Sequence, residues 1–208
     1  MGTLIRWAAT IFVLGTLGLF VSTTPAQAQT DAELAAEWQL AFQFHDLIEP
    51  LPTDGNVAAT RVVTIDIAAP IGRTFAAFTD VRNAIGKHSF LKHVAVHREQ
   101  QTPEGRRVDF TGVEVIPVGG IPVTSNTHAM QTIHQDAYTY DIRTWSLPNI
   151  VTRQHVEFTD LGNGSTRVTE HLTFESLPPL LDFTVRNGVA AHVEDQQGLK
   201  QALEAGVL

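Results

Sequence analysis

The sequence predicts an α+β fold in which a seven-stranded antiparallel sheet is followed by one long helix. Three features predict it. Apolar and polar residues alternate from Arg61, six further extended segments joined by turn residues fill residues 91–175, and the chain closes on an amphipathic helical stripe. A chain of 208 residues suits one compact core with extra ends.

Residues 1–28 read as a secretory leader rather than as part of the fold. Arg6 is the one charge ahead of an apolar stretch over residues 7–21, and Ala26-Gln27-Ala28 supplies a small-residue cleavage pattern. The apolar run falls short of the roughly 20 residues that span hydrocarbon. Cleavage after Ala28 is therefore expected, leaving a secreted or periplasmic protein with no stable membrane span; an uncleaved anchor is the alternative. Residues 29–59 are expected to form a helical arm and linker, because Leu34, Trp38 and Phe42 recur at loosely helical spacing until Pro50 and Pro52 end the pattern. That arm either packs on the domain or tethers it.

The main domain is expected over residues 60–208. Val63, Ile65 and Ile67 fall on one face of a strand and Thr64 and Asp66 on the other. Pro70 ends it, and Phe75 and Phe78 at helical spacing predict a short helix over 71–81, with a second over 82–86. Strands are then expected over 93–100, 107–116, 122–134, 138–145, 151–159 and 167–174. Turns at Pro103-Glu104-Gly105, residues 117–120, Pro148-Asn149 and Gly162-Asn163-Gly164 separate most of them. Leu181, Val185, Val189, Val193, Leu199 and Leu203 then lie near one stripe of a long helix, in which Gly188 and Gly198 would each accommodate a bend.

Composition excludes several functions. The formal net charge of -8 and the lack of any basic stripe argue against nucleic acid, whose phosphates must be neutralised by Lys and Arg. With no cysteine there is no disulfide, thiolate metal site or cysteine nucleophile. The G-x-S-x-G, G-x-x-x-x-G-K-[ST] and G-x-G-x-x-G patterns are missing, so no cofactor is expected. No metal is expected either: His93 and His97 have the spacing of a helical zinc pair, but their neighbours alternate as a strand does, which separates the two side chains by about 13 Å.

Residues 61–70, Arg-Val-Val-Thr-Ile-Asp-Ile-Ala-Ala-Pro, with Phe75 and Phe78-Thr-Asp80 after them, resemble the opening of the SRPBCC superfamily, also called START-like or helix-grip proteins. Asn163-Gly-Ser-Thr-Arg-Val-Thr169 and Gly198-Leu-Lys-Gln-Ala-Leu-Glu204 continue the likeness, which covers residues 60–206. The superfamily includes polyketide cyclases and dehydratases and plant ligand binders. The resemblance implies a curved sheet gripping the terminal helix, with a hollow between them for a hydrophobic small molecule. Where many members carry a Trp after the second short helix, this chain reads His88-Ser89-Phe90-Leu91.

Strand parity nominates the polar residues of that hollow. Glu114 shares parity with Val108, Phe110 and Ile116, and Glu170 with Val168, Leu172 and Phe174. Either carboxylate could act as a base or accept a hydrogen bond from a ligand hydroxyl; alternatively both face water, or pair with Arg107, Arg143 or Arg153. Tyr138 and Tyr140 are expected inward, as ligand-orienting hydroxyls or as large core residues. His128 is either a proton shuttle in the hollow or an exposed histidine, and His192 a packed one.

Three functions follow. The first is an exported binder of a hydrophobic or amphipathic small molecule, lipid or polyketide-like. The second is a cyclase or dehydratase using the cavity carboxylates. The third is an interaction module whose hollow has collapsed around its own side chains.

Overall fold

In the computed structural model the described residues are 29–48 and 55–208. The expected leader therefore lies outside the described residues, as does Pro50-Leu51-Pro52. Helix α1 (Asp31–Ile48) precedes strand β1 (Val57–Ile67), helix α2 (Ile71–Thr79) and a 3-10 turn (Val81–Ala84). Strands β2 (Leu91–Thr102), β3 (Gly105–Val118), β4 (Ile121–His134), β5 (Thr139–Ser146), β6 (Ile150–Asp160) and β7 (Thr166–Ser176) follow, and helix α3 (Pro178–Glu204) closes the chain. Every strand pair is antiparallel, in the order β1-β7-β6-β5-β4-β3-β2. The two ends of the meander are thus β1, brought back beside β7, and β2.

Short loops explain the meander. Gly119 and Gly120 both have positive φ, +59° and +85°, which is what a two-residue hairpin between β3 and β4 requires. Most strands run one to four residues beyond the alternating cores that mark them in the sequence, while β5 begins one residue later; β1 starts at Val57 because its ladder with β7 continues to Ser176.

The alternation puts one side of every strand on a concave face. Phe75 and Phe78 of α2 meet Phe158 of β6 edge-on at 5.1 and 5.5 Å. Ile67, Val156, Val168, Leu199 and Leu203 complete that end of the core, while Val185 of α3 packs with Val63, Leu172 and Phe174. Helix α3 is continuous. Its two glycines permit close approach: a Cβ on Gly188 would stand 2.4 Å from Phe174 Cε1, and one on Gly198 would stand 2.8 Å from Lys87 Cβ.

The arm packs on the convex face. Thr30 and Glu33 cap α1 reciprocally, the Thr30 N–H donating to Glu33 Oε2 at 2.8 Å and the Glu33 N–H to Thr30 Oγ1 at 3.3 Å. Leu34 and Trp38 are buried, and Trp38 Nε1 donates to the Ala129 carbonyl at 2.8 Å. Trp38 stacks on Phe42, which meets the fully buried Trp145 edge-on at 6.4 Å. Beneath the helix Asp109, fully buried, is bracketed by Arg98 at 2.6 Å and Arg107 at 2.7 Å. A buried carboxylate with two guanidinium partners is satisfied rather than stranded.

Candidate ligand-binding cavity

Between the concave face and α3 lies a cavity of about 610 Å³. Phe78, Val94, Phe110, Ile142, Phe174 and Phe183 are among its walls, so most of its surface is apolar. Its polar groups come from strand positions of one parity and from one stripe of the helix. Glu114 sits on β3, Gln131 on β4, Tyr140 on β5, Gln154 on β6 and Glu170 on β7, and His192 and Asp195 face them from α3.

The register explains which of these meet. Tyr140 pairs with Val156, which pairs with Glu170, so the phenol and the carboxylate stand in one row across β5, β6 and β7. His192 Nδ1 reaches to 2.7 Å from Glu170 Oε2. Burial alone would strip the His192 proton, but Glu170, followed by Asp195 and Glu114, outweighs burial and raises the imidazole above its ordinary value. Burial pushes the Asp195 carboxyl up to about 7, with the Glu170 charge adding to it. Burial likewise raises Glu114, against a 2.9 Å hydrogen bond from the Thr127 hydroxyl. Tyr140 is held well above the usual phenol range by burial and then by Glu170 and Asp195. His88, between the 3-10 turn and β2, lines the same space; burial, and then the nearby His192, lowers it to about 4.

Of the residues singled out by parity, Glu114, Tyr140 and Glu170 line this cavity. The expected arginine partners do not reach them. Arg107 is spent on Asp109, Arg153 pairs with Glu175, and Arg143 lies over the Trp145 ring at 4.9 Å, all on the odd-numbered, convex side of their strands.

Two expectations are corrected. His128 is on the convex face, because the odd-numbered residues of β4 are the ones that line the cavity. It is buried beneath α1, with Nδ1 2.9 Å from Thr111 Oγ1, whose other partner is His97 at 2.8 Å, and with Nε2 4.0 Å from Glu37 of α1. A proton shuttle in the hollow is therefore excluded for it. Tyr138 is not among the lining residues: β5 begins one residue later, and Tyr138 ends a 3-10 turn (Gln135–Ala137) with φ at 50° and packs edge-on against Phe75 at 5.3 Å. It is a partly buried residue packed against the core.

His192, Asp195, His88 and Gln131 were not nominated by strand parity. A signal for the first two exists in the sequence, since 181, 185, 188, 192, 195, 199 and 203 form one unbroken i, i+3/i+4 series along α3. His93 lies 2.8 Å from Asp31 of α1, and His97 lies 2.8 Å from Thr111 Oγ1. Among the described residues no group of three or more His, Asp and Glu side chains is placed to hold a metal ion.

Residues 57–204 match the family described as polyketide cyclase / dehydrase and lipid transport. This chain belongs to that family. Solved structures share its fold at low sequence identity. The Zhui aromatase/cyclase from a Streptomyces species is 11% identical with a TM-score of 0.57, over 73% of this chain and 97% of that one. TTHA0849 from Thermus thermophilus is 19% identical with a TM-score of 0.53, over 73% and 98%. A START superfamily protein from Mycobacterium smegmatis is 13% identical with a TM-score of 0.52, over 70% and 97%. No curated protein matches the sequence.

Proposed function

We propose that this protein is an exported, non-catalytic binder of a hydrophobic or amphipathic small molecule, lipid or polyketide-like, held between the sheet and α3. The observation that carries the reading is the cavity itself. About 610 Å³ of space lies between apolar walls with a few convergent polar groups, which is the size and lining of small-molecule sites in general. A collapsed hollow, the premise of an interaction module, does not describe this interior, and the arm lies against the protein's own sheet. Among the described residues no helix is long and apolar enough to cross a membrane.

Native mass spectrometry of the protein from its own host, with an environment-sensitive apolar dye as a second readout, tests the reading. A retained small molecule and dye binding that is lost in Thr144→Trp, whose larger side chain replaces one that lines the cavity, are expected. Dye binding unchanged by Thr144→Trp rejects it. Export rests on the leader pattern of residues 1–28 and is tested by intact mass: the mature chain should begin at Gln29, and a mass that retains residues 1–28 rejects cleavage.

One observation favours a second reading, a cyclase or dehydratase: the Glu170–His192 pair lies inside the cavity beside Tyr140. There Glu114 or Glu170 would take a proton from carbon next to a carbonyl while the Tyr140 hydroxyl hydrogen-bonds the carbonyl oxygen. Turnover of an identified substrate that survives in both Glu114→Gln and Glu170→Gln rejects that role.

A further inference from the structure

The polar part of the cavity is unbalanced in charge. Among the described residues three carboxyl groups line it, Glu114, Glu170 and Asp195, and the basic side chains that line it are the imidazoles of His88 and His192. Among the described residues no Lys or Arg lines it, and the Lys87 charge acts on Asp195 from outside the lining. His192 is committed to Glu170 at 2.7 Å, and His88, desolvated and beside His192, stays neutral. That leaves acceptor oxygens in excess. Asp195 Oδ1 is buried without a hydrogen-bond partner, and Glu114 takes its hydrogen bond from a neutral hydroxyl, that of Thr127.

An independent observation shows that the wall is made to meet polar atoms and not oil alone. Gln131, 0% exposed, lines the same cavity from β4, one strand over from Tyr140. Neither its Nε2 nor its Oε1 has a hydrogen-bond partner. An amide orphaned inside an apolar wall is destabilising unless a polar group reaches it from the cavity.

On the ligand-binding reading above, we infer that the cavity selects an amphiphile with a protonated amine head, seated against Asp195 and Glu114, and rejects one with a carboxylate head. A cation taken out of water needs opposite charge close by, and unpaired carboxyl oxygens supply it. An anion placed there would meet the Asp195 and Glu114 oxygens across a medium that screens poorly, with the His192 imidazole already held by Glu170. Gln131 then hydrogen-bonds a neutral hydroxyl or carbonyl on the body of the same guest.

Three probes of equal chain length decide the matter by dye displacement or calorimetry near neutral pH, below their micellar concentrations: dodecylammonium, dodecanol and dodecanoate. Dodecylammonium is expected to bind at least about tenfold more tightly than dodecanol, and dodecanoate most weakly. Asp195→Asn is expected to erase the preference for the amine, and Glu114→Gln, on a different element, to weaken it. Glu194→Gln, one residue away on the exposed side of α3, keeps it. Dodecanoate or dodecanol binding as tightly as the amine overturns the head-group inference and leaves the ligand-binding reading standing. Failure of all three probes to bind overturns both.

Discussion

His192 on α3 and Glu170 on β7 form a buried contact, Nδ1 to Oε2 at 2.7 Å, that ties the terminal helix to the sheet across the cavity. His192→Ala leaves the Glu170 carboxyl buried without that partner. The loss expected in denaturant unfolding is about 3 kcal/mol, as for other buried pairs broken from one side. A loss under about 0.5 kcal/mol, the level of an ordinary surface change, would show that the contact does not hold the helix.

Asp195 makes stability depend on pH. Its carboxyl rises from 3.8 to about 7, so between those values the folded protein holds a proton that the unfolded chain has released. The stabilisation is complete below about pH 4 and is lost as pH rises through about 7. His88, lowered from 6.5 to about 4, acts the other way: its contribution is present above 6.5 and lost as pH falls through about 4. Comparison with Asp195→Asn separates the two. The stability of the wild type minus that of the variant is expected to fall by at least about 1 kcal/mol from pH 4 to pH 8, and a flat difference rejects the assignment.

Trp38 anchors α1 through its hydrogen bond to Ala129 and its stack on Phe42. Trp38→Ala should cost about 3–5 kcal/mol, as removal of a buried aromatic generally does. Because α1 covers the convex face, apolar dye binding in the cavity should persist under folding conditions. Loss of dye binding in a folded variant would tie the arm to the ligand site.

Gly188 faces Phe174, and both line the cavity. Gly188→Ala gains about 1 kcal/mol of helix propensity, but its methyl group would overlap the Phe174 ring and overpacking costs about 1–3 kcal/mol. The expected outcome is neutral to mildly destabilised protein with weaker dye binding, since the displaced ring occupies the cavity. Unchanged dye affinity would mean that the ring moves elsewhere.

Much of the fold is legible in the residues because a period of two and a period of 3.6 leave different marks. Val63, Ile65 and Ile67, or Val168, Glu170 and Leu172, show which side of a strand turns inward. Glu114 and Glu170 were readable for that reason. Tyr138 was not, since one residue of 3-10 turn breaks the parity that Tyr140 obeys. His128 has mixed neighbours on both sides, and nothing local says that a helix ninety residues earlier covers one of them.

Local periodicity thus determined the elements, their order and the inward side of strands such as β1, β3 and β7, because each follows from a few neighbouring side chains. Tertiary structure alone decided that α1 seals the convex face. It also decided that Glu170 meets His192 and Asp195 rather than an arginine, and that the interior keeps a cavity. These depend on the register of seven strands and on how closely Gly188 lets α3 approach Phe174, and no short stretch of chain encodes either.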